Sequence, residues 1–377
     1  MVKTGNTSRG SARESIAIGV RWMLRMRTAA ATIGTGESRS SLRERLTRRR
    51  LALTVLMLLI ILLLVAIGAV AVGSEHVGIG QIAGLVSSWI TGRAADIQPD
   101  HRTIITDIRL PRVLTAIMVG GSLSVAGAGY QALLRNPLGD PYILGVSTGA
   151  AVGAILATIF GQSLLVSRPI AAFIGALVTI AIVYLLGRGR GASTDRLILA
   201  GVITNAFLSS VVIFLLTALA GSQLPSAFSW LMGDLSGEFR LMPIAFTLMM
   251  AGMAVIFACA RSLNLLMTGE DDALALGVDV GRVKLVVYVA ASLITGAAVA
   301  ISGVIGFVGL IIPHAIRLVG GSDNRLVIPA SALAGAAFLV LADTAGRTVV
   351  APQELHVGVI TALIGAPAFV YLLMRRM

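Results

Sequence analysis

Charge, cysteine and aromatic residues are all scarce in this 377-residue chain. Only 13% of its residues are charged and 5% aromatic, and there is one cysteine, Cys259. Soluble domains carry roughly 25% charged residues, so a water-solvated fold is excluded. One cysteine excludes an internal disulfide framework and any Cys-built zinc or iron–sulfur site, and Cys259 reads as a small core residue. No G-x-x-x-x-G-K-[ST] occurs, so the chain hydrolyses no nucleotide through a P-loop of its own. With four histidines and one cysteine, no His/Cys cluster can hold a bare transition metal.

What is present is apolar. Hydrophobic residues make up 56% and the mean hydropathy is +0.90. A bilayer core needs roughly 20 apolar residues per helix, and ten candidate spans are legible: 52–72, 112–133, 143–161, 169–187, 197–220, 242–260, 284–301, 304–319, 327–346 and 356–374. The runs are continuous and rich in Leu, Ala and Gly, which favours helices over the alternation of a barrel. The chain reads as an all-α polytopic membrane protein with about ten transmembrane helices.

Charge is unevenly placed. Residues 1–50 carry twelve Lys/Arg against three Glu, most of the net +12. Trp22, Leu24 and Met26 among Arg21, Arg25 and Arg27 could form an interfacial helix. The cluster Arg43, Arg45, Arg48, Arg49 and Arg50 directly before the first span fits the positive-inside rule better, so 1–50 is expected to be a disordered cytoplasmic tail and 51–377 the membrane domain. The apolar run at 52–72 is longer than a signal-peptide core, so cleavage is not expected. Alternate loops then place Arg135, Arg188, Arg190, Arg196, Arg261, Arg282, Lys284, Arg317, Arg325, Arg375 and Arg376 inside, and both termini in the cytoplasm. Arg93, Arg102, Arg109 and Arg112, in or beside the long outer loop 73–111, are the exception and call for an acidic partner.

The spans lack the mid-membrane Asp, Glu or His that ion-driven carriers and pumps use. Asp343 is the exception, and its i, i+4 spacing to Arg347 predicts a local ion pair, not a proton relay. Energy for transport must then enter from outside the membrane. The inner segment 262–283 offers a place: Glu270, Asp271 and Asp272 precede Ala273-Leu-Ala-Leu276 and Gly277, acids first and glycine last, a short capped helix. It is either a connector or a dock for a soluble partner. The polar elbow from Arg135 to Ala150, with Pro137 and Pro141, is the other notable feature. Its prolines fix φ, and Gly145 and Gly149 allow close helix approach, a structural role.

Seven co-linear segments carry a resemblance: Arg109-Leu-Pro-Arg112, Gln131-Ala-Leu-Leu-Arg-Asn136-Pro-Leu-Gly-Asp-Pro141, Ile143-Leu-Gly-Val-Ser-Thr-Gly-Ala150, Leu197-Ile-Leu-Ala-Gly201, Gly269-Glu-Asp-Asp-Ala-Leu-Ala-Leu-Gly277, Gly306-Phe-Val-Gly-Leu-Ile-Ile-Pro-His-Ala-Ile-Arg317 and Gly358-Val-Ile-Thr-Ala-Leu-Ile-Gly-Ala-Pro367. In this order, over residues 52–377, they resemble the FecCD family, permease subunits of type II ABC importers for cobalamin, haem and ferric siderophores.

The resemblance implies a BtuC-like fold of ten helices in a five-plus-five inverted repeat, split near the 220–240 loop. It implies a homodimer or close heterodimer in the inner membrane, two cytoplasmic ATP-binding subunits holding Mg-ATP, and a periplasmic or lipid-anchored binding protein. No cofactor, no catalysis by this chain and no nucleic-acid partner are implied. It makes 269–281 the coupling helix, with Glu270, Asp271, Asp272, Ala273, Leu276 and Gly277 facing the ATPase. Arg109, Arg112 and Arg347 match arginines that meet glutamates of the binding protein, with membrane-surface anchoring as the alternative. Asn136 and Leu138 match an inner gate and Thr194 a second constriction, although Asp195 stands where a small neutral residue is expected. His314 reads as a packing residue. His356 stands at the outer mouth where relatives often carry proline, and could touch haem in passage. The cargo is expected to be an iron chelate, siderophore complex or haem, with cobalamin next. An ion-coupled carrier or channel without an ATPase is the rival, and an intramembrane enzyme a third, lacking a polar catalytic pair.

Overall fold

The computed structural model describes residues 48–73, 78–91, 99–160, 167–187, 194–219, 221–237 and 241–374, and every regular element among them is helical. The tail before Arg48 and the loop residues Arg93, Arg188, Arg190, Arg375 and Arg376 lie outside the described residues. The helices are α1 (Arg48–Ala71), α2 (Ile79–Thr91), α3 (Pro99–Leu133), α4 (Val146–Phe160), α5 (Arg168–Gly187), α6 (Thr194–Ala218) and α7 (Leu224–Leu231). After these come α8 (Met242–Ala258), α9 (Ala260–Thr268), α10 (Glu270–Ala275), α11 (Val280–Ser302), α12 (Val308–Gly320), α13 (Asn324–Thr348) and α14 (Val357–Met374). Six are long and apolar enough to cross a membrane. The pair α8 and α9, bent by 50° at Cys259, makes up to seven if counted as one span, and α4, α12 and α14 are shorter apolar helices. Together they account for the ten expected spans.

The outermost helix is among the most apolar. α1 is Leu, Ile and Val around its whole circumference, yet only Leu62, Ala69 and Val70 are buried. That inverts the rule for water and fits a hydrocarbon solvent, in which small residues carry the helix–helix contacts. The centre is α3, buried at every position from Met118 to Leu133 and rich in Gly, Ala and Ser. α8, α11, α12 and α13 pack on it. A Cβ added to Gly120 would lie 2.3 Å from the Gly335 carbonyl oxygen, and one on Gly127 1.8 Å from that of Gly309. At these points backbones, not side chains, touch.

Three expectations change. The loop 73–111 contains α2 and the first turns of α3, including a π-turn at Ile104–Arg109, so the helix read as 112–133 begins at Pro99. The span read as 304–319 is helical only from Val308, because Gly303 (φ 65°) and Phe307 (φ 69°) turn the chain out of helix. Backbone freed from a helix inside a membrane protein needs other partners. Here the Tyr142 hydroxyl accepts from Ile305 N at 2.8 Å and donates to Ile305 O. The proposed helix over 269–281 is only the six residues of α10, since Gly277 (φ 83°) ends it and Asp279 caps α11 by accepting from Arg282 N.

Gly127→Ala should destabilise the protein by about 1–3 kcal/mol or more, because backbone must move to admit the methyl group. Gly68→Ala, in a helix interior and with an added Cβ that meets nothing within 4 Å, should be neutral or stabilise by up to about 1 kcal/mol. Thermal unfolding of the two purified variants in detergent checks the contrast.

Candidate functional site

The candidate residues collect at the two ends of α3, separated by roughly 35 Å at 1.5 Å per residue between Arg112 and Arg135.

At the N-terminal end the three arginines are inside the protein. Arg109, Arg112 and Arg347 are only 4%, 9% and 6% exposed. Arg112 donates from Nε to Asp343 Oδ1 at 2.9 Å and from Nη1 to Glu354 Oε2 at 2.7 Å. Arg347 donates from Nε to Asp343 Oδ2 at 3.0 Å, the pair expected from i, i+4 spacing, and from Nη2 to Ala69 O. Arg109 donates to Val70 O at 2.8 Å and to Ala71 O. The resemblance implied charges displayed to a partner. Instead the guanidinium groups bind α1, α3 and α13 together. The acidic partner that Arg112 required is in the chain itself, and among the described carboxylates of this cluster Glu354, with about half of its side chain exposed, is the one that reaches the rim. The Arg112 pairings bridge more than 200 residues, and no local spacing signals them.

The C-terminal end of α3 is the elbow. Asn136 N donates to Gln131 O and Arg135 N to Ala132 O, the paired bonds of a Schellman stop. The left-handed residue of that stop is ordinarily glycine. Here it is Arg135, at φ 49°, a conformation costing a side-chain-bearing residue about 1–2 kcal/mol. Asn136 Oδ1 accepts from Leu138 N at 2.9 Å, so the proposed gate asparagine shapes the turn, while Leu138 stands exposed. Asp140 caps the 3-10 turn Pro141–Leu144, its Oδ1 accepting from Tyr142 N at 2.7 Å. Burial raises the Asp140 carboxyl to about 6, against the lowering effect of that bond. Gly145 serves less for close approach than as the left-handed cap of this turn (φ 74°), whereas Gly149 does meet α5, a Cβ there falling 1.9 Å from Thr179 Oγ1. Thr194 opens α6, and its side chain lies outside the described residues.

α10 hangs beside the elbow. Ala273 is its buried anchor, while Asp271, Asp272, Leu274, Leu276 and Gly277 are exposed. Leu274 and Leu276 expose 57% and 65% of their surface, beyond the apolar body of the bundle. Glu270 pairs with Lys284 of α11 at 2.7 Å and with Arg135 of the elbow at 3.5 Å. Sequence reading counted Arg135 only as an inside charge. The missed signal was an arginine where a helix stop calls for glycine. Tyr142, which holds the broken strand of backbone at Ile305, gave no signal.

His314 is buried edge-on to Phe369, and His356 Nε2 is 2.7 Å from Ser229 Oγ. Among the described residues, no group of three His, Cys, Asp or Glu could hold a metal.

The FecCD transport family matches residues 56–375. The chain belongs to that family. It is 45% identical over 294 residues to an uncharacterized ABC transporter permease, YvrB, of Bacillus subtilis, covering 76% of this chain and 82% of that one. To the cobalamin import permease BtuC of Halobacterium salinarum it is 46% identical over 277 residues, 73% and 74% of the two chains. To the hemin permease HmuU of Yersinia pestis it is 43% identical over 277 residues, 72% and 83%. A solved ABC transporter, described as of metal-chelate type and inward-facing, superimposes with a TM-score of 0.75 at 31% identity, covering 85% of this chain and 98% of that one. This FecCD chain is a multi-pass ABC importer permease, of a family of transport subunits.

Asp343→Ala should cost about 3–5 kcal/mol, since it leaves the buried Arg347 guanidinium without its carboxylate and that of Arg112 with Glu354 alone. Chemical or thermal unfolding in detergent reads this. A carboxyl whose folded pKa is raised favours its protonated form, so its contribution is present below the ordinary value near 4 and is lost as pH rises through about 6. Asp140→Asn, which keeps the Oδ1 acceptor, should therefore flatten the fall in stability between pH 4 and 7. It should gain on the order of 2–3 kcal/mol relative to wild type across that range, measured as melting temperature against pH.

Proposed function

We propose that this chain is the membrane-spanning permease of an ATP-driven importer of an iron chelate, a siderophore complex or haem, across the cytoplasmic membrane by alternating access. The observation that carries the reading is α10, a short helix at the elbow end with Leu274 and Leu276 exposed and three acids at its N-terminus. Apolar side chains displayed there suit a cleft in a soluble partner better than water. In this reading two ATP-binding subunits, holding Mg-ATP, each take one such helix through Glu270, Asp271, Asp272, Leu276 and Gly277, while buried Ala273 anchors the helix to the permease instead of facing the partner. A second permease copy completes the path, and both termini are cytoplasmic.

Asn136 and Leu138 then border the inner gate, Leu138 as its exposed apolar lip. Thr194 remains a proposed second constriction. A periplasmic or lipid-anchored binding protein would approach the Arg112 end. Its glutamates would compete with Glu354 for Arg112, since Glu354 stands half in solvent. The cargo crosses with its organic shell. Asp343, the one acid deep in a long helix by sequence, is held between two arginines and so suits no proton relay. Relatives of similar identity are named for hemin and for cobalamin, which makes cobalamin the second reading.

The test is uptake into proteoliposomes holding the full complex, with labelled haem, a ferric hydroxamate and cobalamin in parallel. ATP-dependent uptake of haem or the ferric hydroxamate, insensitive to an uncoupler, is expected. Movement of cobalamin alone would shift the cargo, and uptake that survives loss of the ATPase but collapses with an uncoupler would overturn the reading.

A further inference from the structure

Schellman stops end both α10 and α3. One ends α10: Val278 N donates to Ala273 O and Gly277 N to Leu274 O, with glycine at the left-handed position. The other ends α3 and places Arg135 there, at φ 49°. Glycine would make the same turn without the steric cost, so the turn alone does not account for an arginine. Its side chain does. The Arg135 guanidinium lies 3.5 Å from Glu270 Oε1, while Glu270 Oε2 takes Lys284 Nζ at 2.7 Å.

The energetics separate linkage from stabilisation. The three side chains are 43%, 34% and 21% exposed, so solvent screens them and the pairs add little to folding. What they do is join three segments at a single carboxylate: the first residue of α10, the stop that follows α3 and the second turn of α11. Arg135 directly precedes Asn136, whose side chain holds the turn that presents Leu138. A displacement of α10 is therefore felt at the elbow through one side chain, without passing through the packed core.

We propose that Arg135 is a positioning residue that transmits movement of α10 to the Asn136–Leu138 gate through its pair with Glu270. The proposal rests on the importer reading and adds to it the route by which the ATPase reaches the gate.

The test uses the full complex of permease and ATP-binding subunits in nanodiscs. A Cys259→Ser, Leu138→Cys parent gives one thiol at the elbow, and its maleimide labelling rate is compared without nucleotide and with ATP and vanadate. The parent rate should change with nucleotide. Arg135→Gly, which installs the residue such a turn ordinarily carries, should reduce that change at least fivefold without lowering the melting temperature. Arg135→Gln should behave alike, and Arg135→Lys, which keeps the charge, should retain most of the response. If the glycine and glutamine variants respond within twofold of the parent, the relay is wrong and the importer reading stands. If the parent itself shows no nucleotide response, the gate placement fails and takes the relay with it.

Discussion

Backbone-to-backbone contact along α3 is the constraint on which the rest depends. In lipid the hydrophobic effect does not drive helices together, so packing must come from close van der Waals approach. Gly120 against Gly335 and Gly127 against Gly309 provide it, and they set the distance at which α13 and α12 can lie. That distance in turn fixes both functional ends. Asp343 and Arg347 on α13 meet Arg112 on α3 only because the helices lie this close, and Gln131 reaches Leu310 O at 3.0 Å for the same reason. One helix, buried along its length, is thus the common wall of both sites.

The two ends are built from ion pairs of opposite character. Arg112, Asp343 and Arg347 are each less than a tenth exposed, and a buried pair is costly to break because the remaining charge has no water. At the elbow the charges are screened and their pairing is cheap to exchange. Such a division suits a transporter in which the same helix must be clamped at one end and adjustable at the other. Glu354 is the exception at the clamped end, since it alone stands partly in solvent and its bond to Arg112 can be traded.

How much of this was legible follows from the range of each interaction. The long spans, the capped acidic helix and the Asp343–Arg347 pair depend on neighbours within a few residues, and those were readable from spacing. Gly277 as a helix stop was readable for the same reason. The burial of Arg109 and Arg112 was not, because their partners Val70, Asp343 and Glu354 are distant in sequence. Hydropathy also misread 304–319, for it counts apolar residues and not their φ angles; Phe307 is as apolar as any helical neighbour yet turns left-handed. The chain can leave helix there only because Tyr142, some 160 positions away, supplies the missing hydrogen bonds.

That tyrosine ties the elbow to the break before α12, and the link constrains how the elbow can move. Asp140 caps the 3-10 turn, Tyr142 lies in that turn, and its hydroxyl holds both backbone groups of Ile305. A shift of the turn as a rigid unit would drag residues 303–307 with it, or leave buried backbone groups unpaired inside the membrane protein. Losing those bonds costs several kcal/mol, far more than exchanging the exposed pair of Arg135 and Glu270. Motion at the elbow should therefore divide before Gly139. Residues Arg135 to Leu138, exposed or half-buried, can follow α10, while Gly139, packed on the backbone of Tyr130 and Gln131, and the turn after it stay with the irregular segment before α12. A gate made of Asn136 and Leu138 lies wholly on the side that can move.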